Sequence, residues 1–236
     1  MAKSKREFGE GPIYTITNYT FWLFMGNLYF LLMNIPLLYI LLLFFANGTN
    51  PLPTGFTTIA IICSLPVGPA ATALLSVMGK LVREKDINVT KDFFKAYKTN
   101  FFQSLFFWAL EIVLISLLFI DMGFFRTSNY PQIINVFVLI LIAFISLMSL
   151  YVFPLIARFY LGVKVILKTA TYYTFRKPHI TILNFASFLV VGFIFTKFSF
   201  IVLFSSSIIC YLIMYYQQNI LLEVEEKLKK NAKTAE

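Results

Sequence analysis

The segment SLPVGPAATALL, residues 64–75, places two prolines and a glycine within four positions of an otherwise apolar run. Proline removes a backbone donor and clashes with the preceding turn, while glycine opens conformations closed to other residues. What surrounds these helix breakers decides how they are read. No Asp, Glu, Lys or Arg occurs between Glu10 and Lys80. An uncharged stretch of that length far exceeds the roughly 18 apolar residues that mark a membrane-crossing helix. The whole chain agrees: its 236 residues are 59% hydrophobic and 13% charged, with a mean hydropathy of +0.78. A soluble domain carries about 25% charged residues and could not cover its surface with so few. The expected fold class is all-α, a polytopic transmembrane helical bundle.

Uncharged runs read against turn signals such as ANGTNPLPTG (46–55) and RTSNYP (126–131) predict six spans. They are residues 18–45, 56–80, 101–124, 133–158, 180–196 and 198–217. With the N-terminus inside, the inner segments hold Lys3, Lys5 and Arg6, then Lys80, Arg83, Lys85, Lys91, Lys95 and Lys98. They also hold Arg158, Lys164, Lys168, Arg176 and Lys177, and finally Lys227, Lys229, Lys230 and Lys233. Only Arg126 and Lys197 remain for the outer side. Basic residues stay on the cytoplasmic side, so both termini are expected there, in a multi-pass protein of the cell membrane. The net charge of +9 then faces anionic lipid headgroups, and nucleic acid is not an expected partner. The chain reads as a single integral membrane domain, 1–236, with a cytoplasmic N-terminal segment at 1–17 and a cytoplasmic helical tail at 218–236. No signal peptide is expected, because the first apolar run is too long for one and lacks a small-residue cleavage site.

Several stretches resemble a known family. GPIYTITNY (11–19) precedes the first span, and LPVGPAATALLSVMGKLVREKD (65–86) leads into FFKAYKTNFFQSLFFW (93–108). YVFPLIARFY (151–160) runs directly into LGVKVILKTA (161–170). Together, in this order, they resemble the YesL-like family of bacterial integral membrane proteins, a family without an assigned activity. The resemblance implies a Gram-positive source and genes set near carbohydrate ABC importers and sugar-degrading enzymes. It brings no catalytic residues with it.

The breakers Pro66, Gly68 and Pro69 suit the start of a new helix, with Pro69 in its first turn. From Pro69 to Lys80 a helix rises about 16 Å, roughly half of a ~30 Å hydrocarbon layer. The second span is therefore expected to break near mid-membrane, offering the partial positive charge of a helix N-terminus. Glu111 reaches a similar depth, about 15 Å along the third span from Phe101 at the usual rise. Asn27 and Asn34, seven apart on one face of the first helix, add amides near that level. A candidate inner polar site of Glu111, Asn34, Asn27 and Thr72 follows, since intramembrane carboxylates are costly and often functional. The alternative is structural: a protonated or amide-satisfied Glu111 and a simple packing kink.

In NVTKDFFKAYKTNFF (88–102) the apolar Phe93, Phe94, Tyr97 and Phe101 follow helical spacing, with Lys91, Lys95 and Lys98 on other faces. Asn88 or Thr90 serves as its cap. It is expected to be an interfacial amphipathic helix, lying on anionic lipid or docking a cytoplasmic partner. Arg176 and Lys177 mark a second basic segment of the same kind. The tail from Leu221 reads as ordinary solvated helix, with Glu223–Lys227 and Glu226–Lys230 at i,i+4.

Catalytic signatures are missing. His179 is the sole histidine, and Cys63 and Cys210 sit apart in apolar runs as small hydrophobes. No metal site, no cofactor and no enzyme activity is expected. Two functions remain. One is an accessory protein supporting a carbohydrate ABC importer or its regulation. The other is a stand-alone transporter using the broken second helix and Glu111.

Overall fold

The computed structural model describes residues 12–48, 51, 53–85, 87–127 and 130–234. The basic Lys3, Lys5 and Arg6, and most of the expected N-terminal segment, lie outside them. Among the described residues the fold is all-helical, with no strand. Ten α-helices follow in chain order: α1 Pro12–Met33, α2 Ile35–Ala46, α3 Phe56–Ser64, α4 Val67–Glu84 and α5 Val89–Thr127; then α6 Gln132–Arg158, α7 Val163–Arg176, α8 Pro178–Lys197, α9 Ser205–Tyr216 and α10 Gln218–Thr234. A short 3-10 helix, Ser199–Leu203, precedes α9.

Three helical stretches are long and apolar enough to cross a bilayer: Phe56–Glu84, Val89–Thr127 and Gln132–Arg158. Two more candidates are bent pairs, α1 with α2 at 77° and α7 with α8 at 94°. The structure thus carries three to five candidate spans against the six read from sequence. The last expected span, 198–217, is divided at Phe204, and its 12-residue α9 covers only about 18 Å.

At the centre stands α4, which packs against α1, α5, α6 and α9. Ala73, Leu74, Val77, Met78 and Leu81 are fully enclosed along it, while Lys80, Arg83 and Glu84 keep its last turns polar. Between helices in lipid there is little hydrophobic driving force. Close contact of small residues and interhelical hydrogen bonds hold them together instead. Gly68 supplies one such contact: a Cβ there would lie 2.4 Å from Trp108 Cβ and 2.9 Å from the Ser104 carbonyl oxygen.

Two expectations about the basic segments change. Residues 88–101 do not form a separate interfacial helix but the first turns of the 39-residue α5. That helix measures about 58 Å, so it crosses the ~30 Å hydrocarbon and stands well clear of it. The reason is continuity of contact: Phe93 is fully buried and packs on Tyr29 and Tyr97, which holds the early turns in line with the span. Asn88 is the cap, its Oδ1 accepting from Lys91 N at 3.1 Å. The crosswise amphipathic helix is α7, set at 94° to α8 and burying Ile166, Ala170 and Tyr173 at a spacing of four and three residues, one face of a helix.

Nor is α10 simply solvated. Ile220, Leu221 and Val224 are buried, Lys227 lies over the Tyr172 and Tyr173 rings, and Arg158 Nη2 meets Glu225 Oε2 at 2.7 Å. Glu223–Lys227 pairs at 2.7 Å as its spacing predicts. Hydrogen bonds from Lys229 first and Arg158 second draw the Glu225 carboxyl down to about 2. A depressed carboxylate stabilises the docked form above its ordinary range and loses that effect as pH falls through its folded value. Lys229 lies on α10 itself, so only the Arg158 contact ties this carboxylate to docking. That contact is expected to weaken as pH falls from about 4.5 toward 2, while the buried Ile220, Leu221 and Val224 keep their hold. Pepsin cleavage within α10 in acid, where the protease is active, should rise toward the low end in the native chain and vary less with pH in Arg158→Gln.

Candidate functional site

The residues expected to form one inner polar site are placed apart: Asn27, Asn34 and Thr72 lie at helix junctions, and Glu111 lies in a separate cleft. At the join of α3 and α4 only Leu65 and Pro66 stand between the helices, both with right-handed helical dihedrals, and Phe56–Glu84 continues as one candidate span. The expected mid-membrane break at Pro66, Gly68 and Pro69 is thus a packing joint, without the open half-helix mouth. Trp108 explains why. Its Nε1 donates to the Ser64 carbonyl at 2.7 Å, while Gly68 lets the indole stem approach α4. Leu65 N turns back to the Ile62 carbonyl at 3.2 Å, taking up the acceptor that Pro66, with no N–H, leaves open. Thr72, fully buried, donates to its own helix at the Gly68 carbonyl, 3.0 Å away.

The sharp bend lies in the first span instead, at Asn34. Asn34 N bonds to Leu31 O at 3.1 Å, one residue short of helical register, which frees the Phe30 carbonyl. The Asn34 side chain then donates to that carbonyl at 2.8 Å. Pro36, two residues on, cannot restore the ladder. Asn27 works at another junction. Its Nδ2 donates to Val202 O at 2.9 Å, and its Oδ1 accepts from Ser206 N at 3.0 Å. It thereby closes both sides of the gap between the 3-10 helix and α9, where helix ends leave backbone groups unpaired.

Glu111 does not meet the α4 joint. It sits half-buried in a cleft of about 50 Å³ with Leu114, Met148, Ser149 and Leu167, where the Ser149 hydroxyl donates to the Ser146 carbonyl at 2.8 Å. That cleft is lined by α5, α6 and α7, with no residue of α1 or α4.

The same patching recurs where sequence reasoning had no candidate. Pro154 lies inside α6 and lacks the N–H that the Leu150 carbonyl would receive. Gln217, fully buried, donates its Nε2 to that carbonyl at 2.8 Å. Gln103 Nε2 reaches the Leu161 carbonyl at 2.6 Å, in the link between α6 and α7. A usable signal was present: amide and indole donors inside apolar runs that also hold helix breakers. The partner of each was not readable without the fold. If this account holds, Trp108→Phe keeps the ring and loses only the donor. It is expected to lower stability by about 1–2 kcal/mol, the cost of one buried carbonyl left unpaired, read as a lower unfolding midpoint in detergent.

The basic segments present their groups outward. Lys91 and Lys98 are exposed, Phe94 stacks beside Tyr29 at 5.2 Å, and Arg176 lies over the Tyr172 ring at 5.5 Å. The Lys177 carbonyl accepts from Ile180 N and Thr181 N at the α7–α8 corner. Lys95 turns into a polar cleft with Lys80, Arg83 and Arg158. Among the described residues no group of three or more His, Cys, Asp or Glu could hold a metal ion.

Residues 23–122 match a family described as "Protein of unknown function, DUF624". Over 143 residues the chain is 27% identical to the "Uncharacterized protein YesL" of Bacillus subtilis (strain 168), covering 60% of this chain and 68% of the relative. Over 93 residues it is 32% identical to "Uncharacterized protein YteU" of the same organism, covering 39% of this chain and 42% of the relative. No solved structure matches it.

Proposed function

Because the chain belongs to the YesL-like family of integral membrane proteins, we propose that it acts as a non-enzymatic, multi-pass accessory protein, supporting carbohydrate uptake by an ABC importer or the regulation of that uptake. In this reading the chain crosses the cell membrane six times, with both ends on the cytoplasmic side. One observation supports it above the rest. Four polar side chains within the bundle close helix irregularities: Asn27 on Val202 and Ser206, Asn34 on Phe30, Trp108 on Ser64 and Gln217 on Leu150. Their donors are taken up by backbone carbonyls and are not offered to a solute. The chemistry left for recognition is at the basic end, on α7, α10 and the first turns of α5. Affinity capture from native membranes followed by mass spectrometry tests the proposal. A sugar permease should co-purify and be lost with Arg176→Glu and Lys177→Glu together. Purification alone, with normal sugar uptake after deletion, contradicts it.

A transporter acting through Glu111 is the second reading, favoured by its place beside Ser149 in an otherwise apolar cleft. Solute flux into proteoliposomes, abolished by Glu111→Gln, is the result that supports it.

A further inference from the structure

A cleft of about 400 Å³ opens at the basic end, walled by the last turns of α4, the first turns of α5 and the end of α6. Its size falls within the range of small-ligand sites. Four cations line it, Lys80, Arg83, Lys95 and Arg158, against one lining carboxylate, Asp92. Two of the four are already paired: Lys80 with Asp92 at 2.9 Å, and Arg158 with Glu225 at 2.7 Å. Among the described residues Arg83 and Lys95 make no ion pair, and Asp86 lies outside those residues. The charges of Arg83 and Arg158 act on one another, with Glu84 and Glu225 opposing that repulsion in part. Arg158 is held for this position, its side chain 9% exposed and its guanidinium 5.5 Å from the Phe159 ring centre. Thr99 and Asn100 add uncharged polar groups to the same wall.

We propose that this cleft binds a phosphate-bearing anion, with Arg83 and Lys95 as the cations that the ligand neutralises. A guanidinium presents a planar fork of donors that matches phosphate oxygens, and an ammonium adds a point charge. Basic pockets between helices, placed at the headgroup level, are the usual form of an anionic-lipid site. Tyr160, 89% exposed at the rim, is suited to that level, since tyrosine collects at membrane–water boundaries.

The test uses the full chain purified in a neutral detergent with phosphatidylcholine. Phosphatidylglycerol and inorganic phosphate are titrated separately, with binding read by native mass spectrometry and by the unfolding midpoint. The proposal expects one of them to bind, and Arg83→Gln with Lys95→Gln to weaken that binding at least tenfold. Phosphatidylglycerol as the effective probe assigns the site to a lipid headgroup; inorganic phosphate assigns it to a soluble anion. Lys98→Gln, on an exposed face outside the cleft, should leave binding unchanged. Each single variant provides a second reading should the double variant fold poorly, and Arg83→Lys should retain part of the affinity. Failure of both probes to bind at millimolar concentration, or binding indifferent to Arg83 and Lys95, overturns the proposal.

Discussion

Gly68→Ala is expected to destabilise the protein more than the same change at Gly26 or Gly79. A methyl at Gly68 meets Trp108 Cβ at 2.4 Å and the Ser104 carbonyl at 2.9 Å. Both are held by the α5 backbone, so relief requires separating α4 from α5. At Gly79 the nearest atom, at 2.3 Å, is the terminal methyl of Met214, which can swing aside on a flexible stem. Gly26 meets the methyls of Met78 and Leu74 at 2.9 and 3.0 Å, again the ends of side chains. Overpacking a tight core costs about 1–3 kcal/mol, and Gly68 should reach or pass the upper figure. It should also weaken the Trp108–Ser64 hydrogen bond, because the indole is pushed from its seat. Unfolding midpoints of the three variants in one detergent check the order. Equal losses at all three sites would contradict the close-contact role of Gly68.

Asn27→Leu is the second large effect. This side chain, 0% exposed, serves a donor and an acceptor on another segment, Ser206 N and Val202 O. Leucine fills much the same volume, removes the acceptor of Ser206 N and leaves Val202 O only the Ser205 hydroxyl, 3.3 Å away. A buried orphan costs about 1–3 kcal/mol in a protein interior, while measured interhelical hydrogen bonds in membranes average nearer 0.6 kcal/mol. A total of about 1–3 kcal/mol is expected, most of it from Ser206 N. Asn27→Asp separates the two halves. A carboxylate oxygen still accepts from Ser206 N but offers nothing to Val202 O, and a charge is added. Hydrogen exchange of the α9 amides should quicken in Asn27→Leu, first at Ser206 and the residues after it.

The uncharged run from Gly11 to Gly79 made the membrane-spanning, all-helical character legible, and Asn88 was readable as the α5 cap. The bends were not. Two prolines and a glycine at Pro66–Pro69 leave α3 and α4 nearly in line, whereas Asn34 with Pro36 turns the first span by 77°. A breaker frees carbonyls wherever it stands. Whether the helix bends depends on what a neighbouring helix offers in return, and Trp108 and Gln217 lie 44 and 67 positions from the carbonyls they serve. The seven-residue spacing of Asn27 and Asn34 suggested a shared site, but Asn27 bonds Val202 and Ser206 while Asn34 bonds Phe30 of its own helix. Glu111 was expected to face inward and meet the α4 joint, but its depth along the span did not say which helix it faces. The spacing of Ile220, Leu221 and Val224 within the tail carried the docking of α10, and the surrounding charges concealed it.

The central claim is that polar side chains inside the bundle seal its helix irregularities and line no aqueous path. Thiol labelling of Thr72→Cys tests it most directly, in a chain with Cys63 and Cys210 replaced by alanine and held in native membranes. Thr72 is fully buried at the α4 joint, where a water-filled route along the second span would pass. The account predicts no reaction with a membrane-impermeant maleimide from either side until the protein is unfolded. Labelling in the folded state, at a rate near that of an exposed control such as Lys98→Cys, would show water at the joint and contradict it.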